Sequence, residues 1–196
     1  MSELFYKNTE LLLASKSPRR QQLLFNLGAN VTIVSVSADE TVSEDIPGSM
    51  VPELLAKRKA DAYTGTLKDN QILITADTLV VLDDKILGKP KNRDEAFRIL
   101  SALSGRRHQV YTGVCLRTKD KIRTFTECTN VYFSSLSDEE INYYLDTYRY
   151  DDKAGAYGIQ DWIGMIGVSR IEGDYYNVMG LPVARMHKEI EKIIRG

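Results

Sequence analysis

Leu11-Leu12-Leu13-Ala14 runs straight into Ser15-Lys16-Ser17-Pro18-Arg19-Arg20, a short apolar run of the buried-strand type followed at once by a helix start. Ser17 has the chemistry of an N-cap, and Pro18 suits the first helical position because its missing N–H is not needed there. Leu23, Leu24 and Leu27 continue with helical spacing, and Gly28 is placed to stop the helix in a left-handed turn. The β-branched stretch from Val31 to Val36 then predicts a strand.

Outward from this junction the same alternation continues. A turn-rich segment around Pro47-Gly48 leads to a helix with Pro52 near its start and Leu54, Leu55 and Ala62 on its apolar side. Ile72 to Ala76 predicts a buried strand ending at Asp77. Val80-Val81-Leu82, Asp83-Asp84 and Lys85-Ile86-Leu87 predict a hairpin. Asn92 with Glu95, and Ser137 with Glu140, have capping-box spacing and open two further helices. His108 to Arg117 and Lys121 to Ser134 predict a long antiparallel pair. Pro182 opens a last helix with Val183, Met186, Ile190 and Ile193 at helical spacing. The expected class is α/β, a mixed twisted sheet flanked by helices.

Composition sets limits. The chain has 196 residues, is 43% hydrophobic and carries a formal net charge of −1, which fits a single domain over residues 1–196 or one core split into two lobes. A near-neutral balance predicts neither nucleic-acid nor membrane-surface binding. Two cysteines, Cys115 and Cys128, show no metal spacing or disulfide framework. The start, Met1 to Lys7, lacks a basic region followed by a long apolar run, so no signal peptide is expected and the predicted location is cytoplasmic.

The junction also carries chemistry. Arg19 and Arg20 fall in the first helical turn, where the macrodipole is already positive. Backbone N–H groups, the Ser15 and Ser17 hydroxyls and two guanidinium forks there would suit a polyphosphate. The alternative is an ordinary N-cap with two solvated arginines. The turn is not a Walker A loop, because Gly-x4-Gly-Lys is absent.

Leu13 to Arg20 resembles the N-terminal signature of the Maf family, and further pieces follow in order. They are Asp39-Glu40-Thr41, Lys59-Ala60, Ala76-Asp77-Thr78, Gly88-Lys89-Pro90, Ser104-Gly105 with His108, Tyr111-Thr112-Gly113, Lys153 to Gln160, and Asn177 to Pro182. The resemblance implies an elongated fold with two lobes around a cleft, like that of inosine triphosphate pyrophosphatases. It implies attack of water on the α-phosphate of a nucleoside triphosphate, giving the monophosphate and pyrophosphate, and it implies a homodimer. By the same resemblance Asp77 is the catalytic aspartate. The Pro-Arg-Arg form of the first motif, Thr78 and Ile159-Gln160 resemble the branch that acts on dTTP and UTP, with Arg19, Thr78 and Gln160 as specificity positions. Ser15, Ser17, Arg20, Lys59 and Lys89 are the corresponding phosphate contacts.

The residue types are consistent with that chemistry. An ordinary aspartate titrates near roughly 3.9 and is a weak base at neutral pH, so Asp77 is expected as base, as ligand of a divalent cation, or as both. Glu40, with or without Asp39, is the further metal candidate, and carboxylates suit Mg²⁺ or Mn²⁺. A solvated acidic loop is the alternative for Asp39-Glu40, and a solvated basic face for Lys57-Arg58-Lys59. His108 is either a site residue or a structural hydrogen-bonder, His187 reads as surface, and Tyr157 and Trp162 read as core or as base-stacking aromatics. The Gln160 amide offers both a donor and an acceptor to a pyrimidine edge. Two departures stand out: Asp161 where the family pattern has glycine, and Tyr175-Tyr176 ahead of Asn177. A non-catalytic regulator of septum formation, or the same reaction on 7-methyl-GTP or CTP, are the competing expectations.

Overall fold

The computed structural model describes residues 6, 8–43 and 45–195. The start read above for a leader, Met1 to Lys7, therefore lies outside the described residues except for Tyr6. Seven strands form one mixed sheet: β1 (Glu10–Leu13), β2 (Asn30–Ile33), β3 (Gln71–Leu82), β4 (Lys85–Leu87), β5 (Arg107–Arg117), β6 (Ile122–Phe133) and β7 (Val168–Glu172). The order is β2-β1-β3-β5-β6-β7, with β4 paired to β3. The principal helices are α1 (Pro18–Asn26), α2 (Val51–Asp61), α3 (Arg93–Leu103), α4 (Asp138–Thr147), α5 (Trp162–Gly167), α6 (Tyr175–Met179) and α7 (Val183–Arg195). No helix among the described residues is long and apolar enough to cross a membrane.

The β1–α1 junction forms as its sequence predicts. The Ser17 side chain accepts from the Arg20 N–H, Pro18 opens the helix, and Gly28 at φ +68° lets its N–H reach the Phe25 carbonyl. β1 is parallel to β2 and β3, with Leu13 opposite Ile33 and Ile74. Asp83 and Asp84 both take positive φ, which turns β3 into β4 as a tight hairpin. Ser137 and Glu140 complete a reciprocal capping box. At α3 the box is half made: Asn92 caps the Glu95 N–H, but the Glu95 carboxylate turns to the Lys91 N–H.

Two expectations change. β3 does not end at Asp77; it runs on to Leu82, because its partner changes from parallel β1 at residues 71–74 to antiparallel β4 at residues 80–82. On α2 the buried face is Val51, Pro52, Leu55, Ala56 and Ala60, while Leu54 and Ala62 are only partly covered.

The chain divides into two compact units. The first comprises residues 1–77, 112–127 and 180–196, and the second residues 78–111 and 128–179. Each has its own core. Leu12, Ala56, Ala60, Leu67, Leu73 and Cys115 form one in the first unit. In the second, Leu100, Leu103, Val131, Phe133, Ile141 and Ile163 belong to the larger cluster. Gly113 is required by packing: a Cβ there would lie 2.2 Å from the backbone of Pro52 and Glu53. The glycine lets β5 touch the start of α2, and Glu53 adds hydrogen bonds to Thr124 and Thr126 of β6. These contacts fix the helix that carries Lys59.

Candidate active site

In the first unit the carboxyl ends of β1 and of the parallel part of β3 point the same way, so the Ser15–Ser17 turn and Asp77 emerge together. In open α/β sheets that is where ligands bind. Ser15 Oγ accepts from the Ser17 N–H at 3.2 Å, and Gln21 Nε2 donates to the Ser15 carbonyl at 3.1 Å. The turn is thus held from both sides, with its serines partly exposed.

Lys59 reaches in from the last turn of α2. Its Nζ lies 2.6 Å from Asp77 Oδ1 and 2.9 Å from Glu40 Oε1. The pair is unequal in exposure: the Lys59 and Asp77 side chains are 16% and 14% exposed, whereas that of Glu40 is 60% exposed. The three consecutive basic residues of α2 part company here. Lys57 pairs with Asp61 one turn on, and Arg58 Nη1 donates to the Thr41 carbonyl at 2.5 Å. Only Lys59 turns to the carboxylates. Asp39 accepts from the Thr41 N–H at 2.9 Å, which holds its carboxyl below the usual range and shapes the loop that carries Glu40.

Arg20 is held by backbone carbonyls. Its Nε donates to the Gly180 carbonyl at 2.7 Å and its Nη1 to the Ala76 carbonyl at 2.9 Å. One guanidinium therefore ties α1 to the residue before Asp77 and to the segment entering α7. Burial pulls Arg20 below the ordinary arginine range and Arg19 adds to the effect, while Asp77 and Glu40 oppose it. Arg19 lies one residue earlier on the same turn, partly buried.

The second unit holds Thr78, Lys89 and Gln160. Thr78 is partly buried in β3 and Lys89 is exposed. The turn around Lys89 is looser than its Gly-Lys-Pro sequence suggests, since a Cβ on Gly88 would meet nothing within 4 Å. It is tied at one point, where the Gly155 N–H donates to the Gly88 carbonyl at 3.1 Å. Gly155 itself sits at φ +70° with Val80 only 2.9 Å from the Cβ it lacks, so no other residue fits there without strain. Gln160 Nε2 donates to Asp161 Oδ1 at 3.1 Å.

The histidine and aromatic candidates each have a side-chain partner. His108 Nε2 hydrogen-bonds the Tyr157 hydroxyl at 2.7 Å, edge-on to Phe133 and Tyr157. Burial lowers His108 from 6.5 to about 4, so the ring is neutral at neutral pH. Trp162 packs against Tyr143 at 4.7 Å. His187 is not a bare surface residue: its Nδ1 is 2.5 Å from the Tyr6 hydroxyl. Sequence reasoning missed Tyr144 and Lys153, whose side chains meet Asp161. A lysine inside a motif of glycines and alanines was the available signal.

Comparison with known proteins identifies the family and the fold. The family model described as "Maf-like protein" matches residues 10–193. A protein of Bacteroides thetaiotaomicron named dTTP/UTP pyrophosphatase is 47% identical over 185 residues, covering 94% of this chain and 96% of its own length. One of Parabacteroides distasonis with the same name is 50% identical over 186 residues, at 94% and 96% coverage. The structure of the Ham1 protein of Staphylococcus aureus shares the fold, with a TM-score of 0.51 at 15% identity over 94% of this chain and 99% of that one. With a family model spanning nearly the whole chain and relatives near half identity, this protein belongs to the Maf family.

Proposed function

We propose that the chain hydrolyses dTTP and UTP to the nucleoside monophosphate and pyrophosphate. The observation that carries this reading is the Lys59 ammonium held between Asp77 and Glu40, beside a serine-lined helix start. The printed names of the relatives supply the substrate class.

In this reading the triphosphate oxygens accept from the Ser15 and Ser17 hydroxyls and from Arg20, Lys59 and Lys89. Water attacks the α-phosphorus, and Asp77 takes its proton. The new P–O bond forms as the bond to the α–β bridging oxygen breaks, and pyrophosphate leaves with that electron pair. Lys59 fixes the carboxylate by holding Oδ1, so that the second oxygen is presented in one orientation. Arg20 fixes the backbone just before Asp77. Arg19, Thr78 and Gln160 select the base.

The donor set fits a divalent cation shared with substrate. Glu40 and Asp77 already converge on a single positive charge, and Mg²⁺ is typically held by one or two carboxylates plus phosphate oxygens. Among the described residues no three His, Cys, Asp or Glu side chains form a protein-only cage. Such an ion would neutralise charge on the triphosphate.

The test is pyrophosphate release from dTTP, UTP, CTP and 7-methyl-GTP with Mg²⁺ or Mn²⁺, comparing wild type with Asp77→Asn. Highest kcat/KM on dTTP and UTP, lost in the variant, is the expected result. A variant as active as wild type on every nucleotide would falsify the catalytic assignment. The homodimer implied by the family resemblance is part of the proposal, and light scattering that finds only monomer at working concentration counts against it.

A further inference from the structure

Asp161 organises the second unit's candidate site through its two carboxylate oxygens. Its Oδ1 accepts from Gln160 Nε2 at 3.1 Å, and its Oδ2 accepts from the Tyr144 hydroxyl at 3.0 Å. Lys153 Nζ lies 3.5 Å from the same Oδ2. The Tyr144 hydroxyl in turn accepts from the Gly158 N–H at 3.2 Å. Gly158 makes room for the cluster, because a Cβ on it would fall 2.4 Å from Asp161 Oδ2 and 2.7 Å from Gln160 Nε2.

A carboxylate only accepts hydrogen bonds, and a glutamine amide presents NH₂ on one side and oxygen on the other. The side of the amide that meets Asp161 is therefore the NH₂, and the flip that leaves most amides ambiguous is decided by chemistry. The consequence falls on Gln160 Oε1, which is buried and accepts no hydrogen bond. A buried acceptor without a donor is unfavourable until a ligand supplies one. Uracil and thymine carry an N3–H donor. Cytosine carries at the same ring position a nitrogen that accepts.

We infer that Asp161 is a positioning residue that locks the Gln160 amide as an acceptor and so selects bases with a ring N–H, uracil and thymine, against cytosine. This rests on the assignment of Gln160 to the base made above. Asparagine at 161 can present NH₂ or oxygen to Gln160, which frees the amide to turn. The fold should survive the change, since Lys153 Nζ keeps Asp152 at 3.2 Å and the Arg149 carbonyl.

The experiment compares kcat/KM for UTP and CTP in wild type, Asp161→Asn, Asp161→Ser, Asp161→Glu and Gln160→Leu, with melting temperature as the folding control. The UTP/CTP ratio should fall about tenfold or more in Asp161→Asn, the scale of one mismatched hydrogen bond. It should fall similarly in Asp161→Ser, which serves if the asparagine variant does not fold, and stay near wild type in Asp161→Glu. Equal losses on both nucleotides with an unchanged ratio overturn the inference and leave Asp161 a structural residue. A ratio unchanged in Gln160→Leu overturns the base assignment of Gln160 itself. On wild-type enzyme, N3-methyl-UTP, which lacks the donor, should be a much poorer substrate than UTP; equal turnover also overturns the inference.

Discussion

The two units solve the problem of holding a functional side chain in opposite ways. In the first, opposite charges meet at the end of parallel strands: Lys59 lies between Asp77 and Glu40, and one of the carboxylates is largely in solvent. In the second, a neutral amide is held by a carboxylate that tyrosine and lysine side chains hold in turn. The first arrangement can exchange partners when a polyanion arrives, because its ion pairs are partly hydrated. The second is fixed, and leaves a single acceptor to be matched. On the proposed reading, charge neutralisation and base recognition place different demands on rigidity, and the two units would meet them with different chemistry.

Removing Asp77 should break the comparison most completely. Asp77→Asn keeps the shape and takes away the proposed proton acceptor, so kcat is expected to fall by about 10³. The melting temperature should change little. A loss confined to KM would instead assign Asp77 to ground-state binding.

Next in size is Arg20. Arg20→Met strips the donors from the Ala76 and Gly180 carbonyls, and two such losses are expected to cost about 2–4 kcal/mol of stability. Arg20→Lys should not restore it, because an ammonium is a point charge that cannot reproduce the guanidinium fork. Urea midpoints of the two variants decide this. A midpoint unmoved in both would make Arg20 a phosphate ligand alone.

His108 sharpens the second half of the comparison. Burial lowers it from 6.5 to about 4, so the folded state prefers the neutral ring. Its contribution is complete above the unfolded value and is lost as pH falls toward the folded one. The shift corresponds to on the order of 3 kcal/mol lost over that window. His108→Gln, which keeps a partner for the Tyr157 hydroxyl, should flatten the fall in urea midpoint between neutral pH and about 4. An unchanged slope would assign the acid sensitivity elsewhere.

Local chemistry made part of this legible in advance. The Ser17-Pro18 start, the Gly28 stop and the Ser137–Glu140 box are written within a few residues of one another, so the sequence reports them directly. Strand β3 was harder. Asp77-Thr78 interrupts its apolar run, and the interruption reads as an end although it marks a change of neighbouring strand. Helix α5 is six residues with two glycines, too short for its period to register, and β7 has no fully buried residue, so neither announced itself. At the site, Lys59 and Asp77 come from different elements, and no spacing rule brings them together. The family resemblance offered each of them for the site, Lys59 as a phosphate contact and Asp77 as the catalytic aspartate, but not the contact between them. The Asp161 cluster draws on α4, the segment before the short 3-10 turn and the start of α5. The sequence showed only an unexpected aspartate.

The smallest predicted effect isolates the lysine that matters. Lys57 and Lys59 are two residues apart on one helix, with the same charge and the same intrinsic helix preference. Helical geometry separates them by more than half a turn, which sends Lys57 to Asp61 on the surface and Lys59 to Asp77. The Lys57–Asp61 pair is about half exposed on both sides, so Lys57→Ala should change stability by no more than about 0.5 kcal/mol. Its effect on kcat/KM should be within error. Lys59→Ala, by contrast, removes the charge between two carboxylates and should lower kcat/KM by roughly 10² or more. If both variants lost activity alike, the general positive charge of α2 would be responsible and the specific Lys59–Asp77 contact would not. If only Lys59→Ala does, and Lys59→Arg fails to restore it, the geometry of that single contact is what the reaction requires.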